Sequence, residues 1–169
     1  TEELTAIFAP YLRQYPDVHI IYDNVPIDPA NAELHVTEYD LGELVMQEGE
    51  RAATHLTVVE WRQPGRRGVY LCDAEGFARH AALPRLHFRG FSYTAYLKSP
   101  HLAALDRQGL LQMEELAADV QVMLDAARTK LREHFALREA EIAGDIIARW
   151  HAQGIYPYEG EAANQDEES

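Results

Sequence analysis

Thr54-His55-Leu56-Thr57-Val58-Val59-Glu60-Trp61 decides the fold class of this chain. The run is β-branched and alternating, the pattern of a strand with one face in a core. Gln63-Pro64-Gly65-Arg66-Arg67-Gly68 follows with turn chemistry, and Val69-Tyr70-Leu71-Cys72 is a return strand. Together they read as a β-hairpin. Asp73 and Gly76 frame a second tight turn, after which residues 77–82 form a third strand. Residues 90–98, with Phe91, Tyr93, Thr94 and Tyr96, form the next strand.

Outward from this centre the pattern changes. On the N-terminal side, Leu4, Phe8, Tyr11 and Leu12 share one face of a helix over residues 2–14, ended by Tyr15-Pro16. Residues 18–22 are a short strand, Asp23-Asn24 a turn, and Val25-Pro26-Ile27 the start of the return. Leu34-His35-Val36 makes another short strand, and the acidic residues 37–50 fit either a brief helical turn or an irregular strand. On the C-terminal side, Ser99 as N-cap and Pro100 at the first position open a helix over residues 101–110. Residues 114–153 contain no proline, and apolar residues from Leu116 to Trp150 recur at spacings of three and four. This predicts a long amphipathic helix, or two end to end with the weak point at residues 135–138. Its stripe is too long for one small domain to cover, so it folds back there or is buried against another chain. Gly154 is the expected C-terminal cap, and the acidic residues 159–169 are expected to be a disordered tail. The fold class is α+β: a small mixed or antiparallel sheet packed with helices, then a long C-terminal helical segment. The expected divisions are residues 1–101, 102–158 and 159–169.

The 169 residues are 47% hydrophobic, which supports a core and excludes global disorder. No apolar run is long enough to span a membrane, and no basic-then-apolar leader opens the chain, so a cytoplasmic protein is expected. A start at Thr1 rather than Met fits a processed product or a fragment. Cys72 is the only cysteine, which excludes an internal disulfide or multi-cysteine metal site. The net charge of −13 disfavours nucleic acid as a partner. It is unevenly spread: −9 over residues 1–59, +4 over 60–101 and −8 over 102–169. The basic middle third either holds an anion locally or is a solvated face that balances acidic neighbours.

Few constellations carry chemistry. Gly65, Gly68 and Gly76 make neither a phosphate loop nor a dinucleotide fingerprint. None of the eight histidines forms a helical metal pair, and His80 and His87 have no carboxylate at ligand spacing. Cys72, beside Leu71 on a strand, reads as a buried inert thiol. Glu141 and Asp145, like Glu115 and Asp119, are four apart; a solvated helix face explains them better than an acid/base pair. Lys98 differs. The chain has two lysines and thirteen arginines, and Lys98 stands where a strand ends and a helix begins. Backbone N–H groups gather at such a junction and anions bind there. The alternative is an ordinary strand-end lysine.

Val69-Tyr70-Leu71-Cys72-Asp73-Ala74-Glu75-Gly76-Phe77, residues 90–99, Lys130-Leu131-Arg132-Glu133-His134-Phe135 and Tyr156-Pro157-Tyr158-Glu159-Gly160 carry a family resemblance. They resemble the region downstream of the ATP-binding domain in bacterial ATPases of the gyrase, chaperone, histidine-kinase and MutL (GHKL) superfamily. The helix over residues 2–14 and the turn at residues 23–28 are similar to the start of that family's transducer domain. The resemblance implies a ribosomal-protein-like transducer fold. It also implies a nucleotide site, with ATP and Mg, in a preceding domain of the same chain, because the pocket motifs are not in this sequence. This segment itself would hold no cofactor and no catalytic residue. In the family one basic side chain reaches the nucleotide's terminal phosphate, and Lys98 is the position that corresponds. A homodimer is the implied assembly. The leading expectation is therefore a mechanical transducer segment, and the alternative is an acidic interaction module that binds through its long helix.

Overall fold

The computed structural model describes residues 4, 5, 8, 12, 15, 17–26, 33–62, 67–82 and 88–154. The chain is mixed α+β, as its patterning requires, with a two-stranded and a five-stranded sheet. Two compact units are distinguished, Thr1–Thr129 and Lys130–Ser169. Most of the N-terminal helix expected over residues 2–14 lies outside the described residues, although Leu4, Thr5, Phe8 and Leu12 are helical. The acidic tail and Pro157 also lie outside them.

In the first unit, β1 (Ile21–Tyr22) and β2 (Val25–Pro26) form the small hairpin. Its turn residues Asp23 and Asn24 have φ of 52° and 62°. Two left-handed residues give the twist that joins adjacent antiparallel strands, and Asp and Asn tolerate that conformation.

The larger sheet contains β3 (Glu33–Val45), β4 (Arg51–Trp61), β5 (Arg67–Cys72), β6 (Ala78–Ala82) and β7 (Tyr93–Lys98). Their order is β3-β4-β7-β5-β6. Of the two readings of residues 37–50 the irregular strand is the one that forms: residues 37–45 extend β3 to thirteen residues, and residues 46–50 lead into β4. As an edge strand β3 leaves much of its length in water, so Glu38, Asp40 and Glu43 are exposed without cost. The irregularity is a register shift between Asp40 and Gly42. Gly42 takes φ 71° there, and its N–H donates to Asp40 Oδ1 at 2.8 Å.

The expected hairpin between β4 and β5 does not form. β7 lies between them, antiparallel to β4 and parallel to β5. A turn-rich linker reverses the chain but does not oblige its flanking strands to pair. Leu56 to Trp61 are all buried, and so are Tyr93 to Leu97, which marks both segments as interior strands covered on two faces. One face carries Leu56, Val58, Leu71, Ala95 and Leu97, all fully buried. The other carries a cluster of Val59, Trp61, Cys72 and Tyr96. Trp61 Nε1 donates to Thr94 Oγ1 at 2.8 Å, so the indole is buried with its polar atom satisfied.

After β7, Ser99 caps α1 (Pro100–Arg107), its hydroxyl accepting from the His101 N–H. α1 lies against β4, β5 and β6. A 3₁₀ turn at Leu111–Met113 leads to α2 (Ala118–Gln153). Leu116 precedes α2 and is 80% exposed, so it is not part of the stripe. Val120, Met123, Leu124 and Ala127 are buried, one turn after another.

In the second unit α2 continues without interruption through residues 135–138, so the helix does not fold back there. Arg138 pairs with Glu141 at 2.7 Å, one turn along, and supports the helix across the expected weak point. Gly154 ends it with φ 69°, the left-handed cap expected of glycine.

Candidate functional site

Lys98 ends β7, the central strand, and its neighbours in the sheet are His55 on β4 and Cys72 on β5. Asp40 on β3 pairs with His55, so Asp40, His55, Lys98 and Cys72 form one row across four strands, on one face. The Ser99 N–H donates to the Cys72 carbonyl at 3.2 Å, which ties the strand end to β5 before the chain turns into α1. A groove of about 590 Å³ opens here, lined by Glu38, Asp40, His55, Lys98 and Ser99 among others.

The row is chemically graded. Cys72 is buried, and burial pushes its thiol up to about 12, with the nearby Lys98 ammonium pulling the other way. An uncharged, enclosed thiol is no nucleophile, as its strand position had indicated. At the other end, His55 Nδ1 is 3.8 Å from Asp40 Oδ1, and both side chains are well exposed. Between them Lys98 is half-buried, and the described residues offer its ammonium no hydrogen bond or ion pair.

Three other cations of the basic middle third are engaged. Arg62 Nε donates to the Glu33 carbonyl, Arg67 Nε to the Phe91 carbonyl, and Arg79 pairs with Asp73 at 3.0 Å and Asp106 at 3.6 Å. For these three, the positive segment serves the fold's own carbonyls and carboxylates. Lys130, the other lysine, pairs with Glu133 at 3.1 Å.

The two carboxylate pairs lie in different settings. Glu141 is held by Arg138 on an exposed helix surface. Glu115 lies before α2 and Asp119 in its first turn, so the two do not share a helix face. Asp119 instead accepts from the Gln47 N–H at 3.0 Å and approaches His101 Nε2 at 3.2 Å, joining the β3–β4 turn to both helices' first turns. His80 does have a carboxylate: Glu114, almost fully buried, stands 3.3 Å from its Nε2. The two are 34 residues apart, beyond any spacing rule. His87 lies outside the described residues. Among the described residues no group of three or more His, Cys, Asp or Glu side chains could hold a metal ion.

No helix among the described residues is long and apolar enough to cross a membrane. Comparisons with known protein families, with curated proteins and with solved structures return no match.

Proposed function

We propose that this chain is a non-catalytic transducer segment of a GHKL-type ATPase, in which Lys98 contacts the terminal phosphate of a nucleotide held by a preceding domain. The observation that carries this reading is the state of Lys98: a half-buried ammonium, at a strand-to-helix junction, without a partner among the described residues. Burying part of a charge without pairing it is unfavourable, so its retention implies a partner from elsewhere. A compact point charge on a flexible stem suits a phosphate contact that forms and breaks during turnover. Glu38 and Asp40 line the same groove. Free phosphate would therefore meet two carboxylates, whereas a nucleotide presented with its Mg by its own domain arrives partly neutralised.

In this reading the movement of Lys98 toward the phosphate pulls on β7, the strand whose end opens α1. ATP and Mg belong to the preceding domain, the location is cytoplasmic, and the working assembly is a homodimer. The alternative reading, an interaction module, draws on α2, where Leu137, Ile142, Ile147 and Trp150 are exposed.

The deciding experiment is Lys98→Ala in the longer chain that carries the ATP site. ATP turnover should fall about a hundredfold, the usual loss for a cation that acts on a transferring phosphoryl group. The 169-residue chain alone should release phosphate only at the buffer background. Wild-type turnover in the variant, or repurified activity in the chain alone, would reject the reading.

A further inference from the structure

β3 is an outer strand of the five-stranded sheet, with β4 as its only neighbour among the described strands. Which backbone groups face outward follows from one hydrogen bond. The Trp61 N–H donates to the Ser92 carbonyl at 2.8 Å, so odd-numbered residues of β4 address β7 and even-numbered ones address β3. Glu60, Val58 and Leu56 pair with His35, Thr37 and Tyr39. Those three β3 residues therefore direct their backbone groups to β4, and Val36, Glu38 and Asp40 direct theirs away from the sheet. Three donors and three acceptors stand in line along this edge.

The run is regular between two register shifts, at Glu33/His35 and Asp40/Gly42. Six residues, His35 to Asp40, span about 20 Å of uniform edge. Over residues 33–45 there are four carboxylates and no lysine or arginine. Glu38 and Asp40 are exposed and lie on the same sheet face, at two successive outward-facing positions.

Edge strands commonly carry charge to prevent pairing. Here the charge is of one sign, so it excludes selectively. A second copy of β3 would set carboxylates against carboxylates, within a chain of net charge −13. A basic strand would meet an opposite charge at both positions, and cross-strand pairs of opposite charge stabilise a sheet. We infer that the β3 edge receives an extended, basic segment of a partner protein as an added strand. The period of two specifies its sequence: Lys or Arg at alternate positions opposite Glu38 and Asp40, with β-branched or aromatic residues between them, on the face of Thr37 and Tyr39.

The test uses the 169-residue chain and a fluorescein-labelled heptapeptide, Val-Lys-Val-Arg-Val-Lys-Thr, followed by anisotropy. Saturable binding is expected. A scrambled peptide of the same composition, with its basic residues adjacent, should bind at least tenfold more weakly. N-methylation of alternate residues should abolish binding in one phase and spare it in the other, since only one peptide edge faces β3. Glu38→Lys with Asp40→Lys should weaken the basic peptide at least tenfold and admit its Glu-containing counterpart. Both side chains are exposed, so the double variant should keep the wild-type circular dichroism spectrum. Equal binding of the scrambled peptide, or indifference to N-methylation in both phases, would reduce the effect to non-specific charge and overturn the inference. Self-association of the chain that Glu38→Lys abolishes would make a second copy the occupant and overturn it equally.

Discussion

Two ends of one sheet face behave in opposite ways. At one end Trp61, Val59, Thr94 and Tyr96 are buried, and Tyr96 stacks on Tyr70 with ring centroids 5.8 Å apart. At the other end β4 and β7, with β3 beside them, present His55, Lys98 and Asp40 to an open groove. Strand period and register are shared, so local structure does not separate them. Polar satisfaction does. Trp61 brings its one donor into the core already bonded to Thr94, whereas the described residues give the Lys98 ammonium no hydrogen bond or ion pair. The first arrangement stabilises the fold, and the second contributes little to it.

The largest effect should come from the dry end. Trp61→Ala removes a buried indole and leaves Thr94 without its donor, and we expect a loss of about 3–5 kcal/mol in urea unfolding. Lys98→Ala in the same assay should change stability by no more than about 0.5 kcal/mol. A comparable loss at both positions would erase the distinction between the ends.

Next is the rate effect at the open end. The hundredfold fall in turnover expected for Lys98→Ala in the longer chain corresponds to about 3 kcal/mol. Lys98→Arg should not restore the rate, because a planar fork directs its donors differently. Lys130→Ala is the matched control and should be near neutral for turnover, since it removes only an ion pair with Glu133 one turn along the helix.

Alkaline pH probes the buried end of the row. Burial raises the Cys72 thiol from 9.0 to about 12, so folding favours its protonated form. That contribution is complete below pH 9 and is lost as pH rises toward 12. Stability should therefore fall across this window by up to about 1.4 kcal/mol per pH unit from this group. Burial also raises Tyr96 and Tyr93, which extends the decline in the same direction. Cys72→Ala should flatten the stability profile just above pH 9, and an unchanged slope would show that the thiol is not enclosed as described.

A modest stability loss sharpens the boundary of the site. Ser99→Ala removes the cap of α1 and should cost about 1 kcal/mol. Ser99 follows Lys98 directly, so its effect on turnover in the longer chain should be well below that of Lys98→Ala. An equal effect would place the function in the helix start rather than in the ammonium.

Legibility in the sequence followed the range of the forces involved. Asp23-Asn24, the Ser99 cap, Gly154 and the strand character of residues 54–61, 69–72 and 93–98 were readable because each reflects conformational preference within a few residues. Lys98 was readable as a junction residue for the same reason. The long strand β3 was obscured because edge exposure relaxes the apolar alternation by which strands are recognised. Residues 135–138 looked like a weak point of α2, although the pairing of Arg138 with Glu141 is an ordinary one-turn contact.

The sequence by itself determined that the chain is α+β, where most of its strands and its long helix lie, and that Lys98 stands at a strand-to-helix junction. Only the tertiary structure decided that β7 separates β4 from β5, that His80 meets Glu114, and that Asp40, His55, Lys98 and Cys72 share one row. The reason is physical: dihedral preference and capping act between neighbours along the chain. Strand order and side-chain partnership depend on which surfaces close a common core, and residues far apart in sequence contribute to that closure together.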